Sequence, residues 1–92
     1  EEQMPEVSRF YGIVITMYPE AGERHNSPHM HARYGGSRAT FSISTADPLA
    51  GSLPRSQTRM VQAWIELRRL QLEANWELLI AGQTPEKIDP LR

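Results

Sequence analysis

Ninety-two residues, 39% hydrophobic and 23% charged, suit one small globular domain and not a disordered or collagen-like chain. With no cysteine, a disulfide scaffold, a thiolate zinc finger and a cysteine nucleophile are all excluded. The net charge of −1 hides a sorted distribution. Residues 1–23 carry Arg9 against five glutamates, a balance of −4. Residues 24–65 carry Arg24, Arg33, Arg38, Arg55 and Arg59 against Asp47, a balance of +4, and hold all three histidines. Local fields steer ligands more than totals do, so the middle is the candidate anion-attracting zone unless the acidic ends fold back onto it.

Glu1, Glu2 and Gln3 precede Met4, which reads as an initiator, so residues 1–3 are expected to be extraneous and 4–92 to form a single domain. No charged-then-apolar leader precedes Met4 and no apolar run approaches a membrane span, so a cytoplasmic setting is expected. Arg9 to Tyr18 alternates as a strand, with Tyr11, Ile13, Ile15 and Met17 on one face and Phe10, Val14 and Thr16 on the other. Pro19 to Pro28 is a loop rich in turn formers. His29–Tyr34 and Arg38–Ser44 alternate again around Gly35-Gly36, a pair suited to the positive φ angles of a two-residue hairpin turn. Asp47 to Leu53, with Pro48 and Gly51, reads as a loop. From Pro54 the apolar period becomes helical through Met60, Val61, Trp64, Ile65, Leu67, Leu72, Trp76, Leu79 and Ile80, and Gly82 ends it. One helix about 40 Å long follows at about 1.5 Å per residue, or two if the chain breaks near Leu70. The tail is a loop or short edge strand packed through Ile88 and Leu91. The fold class is α+β: a three-stranded antiparallel sheet packed on one face by a long carboxy-terminal helix. An uncovered sheet edge would make homodimer pairing easy.

A two-residue turn fixes register. It sets Tyr34 opposite Ser37, Arg33 opposite Arg38, Ala32 opposite Ala39, His31 opposite Thr40, Met30 opposite Phe41 and His29 opposite Ser42. Met30, Ala32, Ala39, Phe41 and Ile43 then face the helix, while His29, His31, Arg33, Arg38, Thr40 and Ser42 share the other face. Two arginines directly across a ladder repel, and a bound anion would resolve the conflict. A solvated outer face accounts for the same pattern.

The histidines offer two chemistries. His25, His29 and His31 are the donor set of a zinc or nickel site, although no carboxylate lies near in sequence to orient the rings. Alternatively, His29 and His31 act as general base and general acid on an RNA phosphodiester without metal or cofactor, with Arg33 or Arg38 on the charged transition state. Thr40 and Ser42 are then hydroxyl partners of the bound anion. No phosphate-cradling glycine loop and no nucleophile triad is present. Trp64 and Trp76 fall on the apolar helical stripe and read as core.

The stretch from Met4 to Ile15, followed by His29-Met30-His31-Ala32-Arg33-Tyr34-Gly35, resembles the bacterial domain-of-unknown-function family 4160. The likeness continues through Gly51-Ser52-Leu53-Pro54, Trp64-Ile65-Glu66-Leu67, Asn75-Trp76-Glu77-Leu78 and Lys87-Ile88-Asp89-Pro90-Leu91. Met30 stands where the family usually has an aromatic residue between the histidines. The resemblance implies a small protein paired with a second small protein encoded nearby, in a toxin–antitoxin-like module, and nucleic acid as a ligand. It carries over no catalytic residue. The expected function is therefore an RNA-interacting component of such a module, acting through His29, His31, Arg33, Arg38, Thr40 and Ser42. A metal-binding protein and a non-catalytic protein-interaction module are the alternatives.

Overall fold

The computed structural model describes residues 5–18 and 27–92. Residues 1–3 and Met4, as well as His25 and the Pro19–Asn26 part of the predicted loop, lie outside the described residues. The chain folds as an antiparallel sheet of five strands in sequential order, with two helices. The strands are β1 (Glu6–Phe10), β2 (Ile13–Thr16), β3 (His29–Tyr34), β4 (Ser37–Ser42) and β5 (Pro48–Ser52). The helices are α1 (Arg55–Leu67) and α2 (Arg69–Ile80). The α+β class holds, but the expectation of three strands and one long helix is corrected in three places.

First, the strand expected over Arg9–Tyr18 is a hairpin. Tyr11 and Gly12 both take positive φ, 49° and 80°, the φ pattern of a type I′ turn, and β1 pairs back on β2 with Phe10 opposite Ile13. A one-residue irregularity shifts the register of this pair between Glu6 and Ser8. Phe10 therefore joins Ile13, Ile15 and Met17 in the core, against Trp64 at 5.3 Å between ring centroids, while Tyr11 is exposed in the turn.

Second, Pro48–Ser52 is an edge strand and not a loop. All five residues are exposed, so no burial pattern betrays it. It pairs with β4 through Gly51 opposite Ala39, and Gly51 sits at φ +67° with its α-carbon against the Arg38 carbonyl. A β-carbon there would lie 2.3 Å from that oxygen, so only glycine lets β5 approach.

Third, the helical stretch divides at Arg68, whose φ of −114° and ψ of 21° leave the helical region. A straight helix over residues 55–80 would run about 39 Å at about 1.5 Å per residue. That exceeds the 33 Å longest dimension of the molecule. The break lets Val61, Trp64 and Ile65 and then Leu72 and Leu79 share one core with the inner sheet face. It also leaves Leu67 and Ile80, assigned to the apolar stripe by periodicity, exposed. Other signals hold. Pro54 caps α1, and Gly82 at φ +79° closes α2 with Gln83 N–H on the Leu78 carbonyl and Gly82 N–H on that of Leu79, a Schellman end. The tail packs as expected, Ile88 N–H donating to the Val7 carbonyl on β1. Buried Asn75 braces it by donating to the Glu86 carbonyl and accepting from the Glu86 N–H, both at 2.8 Å.

Candidate anion-binding site on the outer sheet face

The β3–β4 hairpin has the register that its glycine pair dictates: Arg33 faces Arg38, His31 faces Thr40 and His29 faces Ser42. Gly35 alone takes positive φ, 57°, which is the φ pattern of a type II′ turn. In a two-residue hairpin the closing pair exchanges both hydrogen bonds, so Arg33–Arg38 and His31–Thr40 fall at the alternate close pairs, with Cα atoms about 4.5 Å apart. The inner residues Met30, Ala32, Ala39, Phe41 and Ile43 are all buried beneath the helices.

Across the outer face the ladders line up two rows. One runs Glu6–Thr16–His31–Thr40–Ala50 and the other Arg9–Val14–Arg33–Arg38–Ser52. Between them opens a cavity of 330 Å³ lined by His31, Arg33, Arg38, Thr40, Thr16 and Tyr18, with Ala50 and Gly51 at the β5 side. The Thr40 hydroxyl and His31 Nδ1 are 3.2 Å apart. The Tyr18 ring stacks on the His31 imidazole at 4.4 Å and 8°. Both arginines are exposed, and among the described residues neither is in an ion pair. Glu6, at the head of the first row, is held by Arg9, which donates to both its carboxylate oxygens at 2.8 and 3.0 Å. That hydrogen bond, and next the charge of Arg9, hold the Glu6 carboxyl below its ordinary value against some desolvation, with weaker help from Lys87 and Arg33.

The site residues thus divide. His31, Arg33, Arg38 and Thr40 meet at one cavity. His29 and Ser42, though on the same face by alternation, do not line it. His29 is 7% exposed. Its Nδ1 is 2.9 Å from the Ser27 carbonyl oxygen, a contact in which the nitrogen donates, and its ring lies edge-on to His31 at 5.4 Å and against Trp76 of α2 at 4.9 Å. Ser42 is buried, and its hydroxyl accepts the Thr45 N–H in the β4–β5 turn. The three-histidine metal set includes His25, outside the described residues; among the described residues no group of three His, Cys, Asp or Glu side chains is placed to hold a metal ion. Thr16, Tyr18 and Ala50 were not singled out by sequence. Tyr18 carried a usable signal, since it continues the alternation of Val14 and Thr16.

Five strands with helices on one side and a cationic cavity on the other define a two-layer α+β domain. Residues 12–77 match the family model described as Domain of unknown function (DUF4160), and the chain belongs to that family. No curated protein and no solved structure matches the chain. No helix among the described residues is long and apolar enough to cross a membrane.

Proposed function

We propose that the outer sheet face binds single-stranded RNA through its phosphates. The observation that carries this reading is the pair of exposed guanidiniums directly across one ladder, at a cavity that also holds the His31–Thr40 pair. An anion between Arg33 and Arg38 relieves their mutual repulsion and takes charge-assisted hydrogen bonds from both. Thr16, Thr40 and His31 offer the polar groups that a ribose hydroxyl requires. A single strand is favoured over a duplex because the facing pair Arg33 and Arg38 sits at one small cavity, whereas duplex RNA is gripped across successive grooves. In this reading the protein is the RNA-interacting component of a toxin–antitoxin-like module with a second small protein as partner; the family resemblance alone supports that context.

Binding, not cleavage, is the activity proposed. General acid–base cleavage by two imidazoles needs both within hydrogen-bond reach of the phosphodiester. Of the described histidines, His31 lines the cavity, while His29 is buried against Trp76.

Fluorescence anisotropy with a labelled uridine-only RNA strand across a potassium chloride series tests the reading. The Arg33→Ala/Arg38→Ala double variant is expected to bind more weakly and to lower the slope of log affinity against log salt by about 1.4, at about 0.7 per phosphate contact in single strands. Wild-type protein that fails to bind, or a double variant with the wild-type slope, would remove the proposal.

A further inference from the structure

We propose that Tyr18 is a base-stacking platform at this cavity, so that the ligand is recognised as a nucleotide-bearing strand and not as a bare chain of phosphates. This rests on the RNA reading above and assigns the contact that a phosphate clamp lacks. Tyr18 lines the same cavity as Arg33 and Arg38, and its ring lies parallel to the His31 imidazole at 4.4 Å. His31 is itself held by the Thr40 hydroxyl at 3.2 Å and by the edge of His29 at 5.4 Å, and His29 in turn backs onto Trp76 at 4.9 Å. Four rings, Tyr18, His31, His29 and Trp76, thus run in sequence from the cavity to α2. A phenol ring stacked on an anchored imidazole surrenders its rotamer freedom before a ligand arrives, which lowers the ordering cost of binding. An aromatic platform beside cationic groups that track the backbone is the combination by which single-stranded nucleic acids are held. The cavity, at 330 Å³, lies at the small end of the range of small-ligand pockets.

The test compares a uridine-only RNA strand with an abasic tetrahydrofuran–phosphate strand of equal length and charge. Wild type is expected to favour the base-bearing strand by roughly 5- to 150-fold, the range one base–aromatic stack supplies. Tyr18→Leu should lose that preference while keeping the salt slope, and Tyr18→Phe should retain it; circular dichroism melts report whether each variant is folded. A folded Tyr18→Leu protein that still prefers the base-bearing strand overturns the assignment. So does wild type that binds the two strands equally with steep salt dependence, an outcome that leaves the phosphate reading standing; wild type that binds neither ends both. Independently of any variant, adenosine 5′-monophosphate should move the Tyr18 ring proton resonances of the wild-type protein upfield where inorganic phosphate does not, and the absence of that shift also overturns it.

Discussion

One residue shows how narrowly the cavity is built. Gly51 has positive φ and its α-hydrogen side faces the Arg38 carbonyl, so Gly51→Ala must displace β5 from β4. A cost of about 1–3 kcal/mol is expected from the strained backbone and the lost ladder bonds, measured as a lower urea midpoint. RNA affinity should fall as well, because Ala50 and Gly51 form one side of the cavity. Glu6 gives a pH dependence with a definite sign. Its folded pKa is depressed by Arg9, so its stabilisation is present above the ordinary value of 4.5 and is lost as pH falls through the lowered folded value. The pair is partly solvent-exposed and screened, so the effect is small. Urea midpoints at pH 7 and pH 3 should differ less in Glu6→Gln than in wild type; an equal difference would mean the ion pair contributes nothing.

At the scale of elements, the molecule depends on side-chain to backbone hydrogen bonds where regular structure ends. Trp64 Nε1 donates to the Asp89 carbonyl at 2.8 Å and Arg68 to that of Pro90 at 3.2 Å, so α1 and the break after it hold the tail. Arg69 donates to the Ile43 carbonyl and Gln62 to that of Ala46, which fixes the β4–β5 turn beneath the helices. The break at Arg68 therefore does more than shorten a helix: it brings consecutive arginines to the tail on one side and to the β4–β5 turn on the other. Asn75 is the most exacting of these contacts because it is buried and bonded twice to Glu86. Asn75→Ala should cost about 1–3 kcal/mol, the penalty for stranding buried partners. Hydrogen exchange should accelerate at Glu86, whose N–H loses its acceptor, and at Ile88, whose bond to Val7 keeps the tail on β1. Unchanged exchange at both amides would show that the tail is held without Asn75.

Across the whole molecule, one apolar cluster joins β1, β2, β3, β4, both helices and Ile88 of the tail. Trp64 sits wholly within it, and Trp76 packs at its margin. With one core, unfolding should be a single cooperative transition, so tryptophan fluorescence and far-ultraviolet circular dichroism should give the same urea midpoint. Separate midpoints would mean that the helices detach from the sheet before it melts. The two sides of the sheet divide the labour: the inner side supplies cohesion, and the outer side gathers Arg9, Arg33 and Arg38 on one row.

Local rules made much of this legible in the chain itself. The glycine pair dictated the register of β3 on β4, and alternation then placed Arg33, Arg38, His31 and Thr40 on one face and Met30, Ala32 and Phe41 on the other. Pro54 and Gly82 marked the helical limits because each acts through its own backbone geometry. Tertiary structure decided the rest. The Tyr11–Gly12 turn looks like an interior pair of a continuous alternating run, and only the return of β1 onto β2 shows that it reverses. β5 is an exposed edge strand whose proline and glycine read locally as loop, and pairing with β4 makes it a strand. His29 and His31 are equivalent by period, yet α2 brings Trp76 against one while the cavity opens beside the other. Sequence periodicity specifies which face a side chain leaves from; whether that face is open, lined or covered depends on elements distant in the chain, and packing alone brings them there.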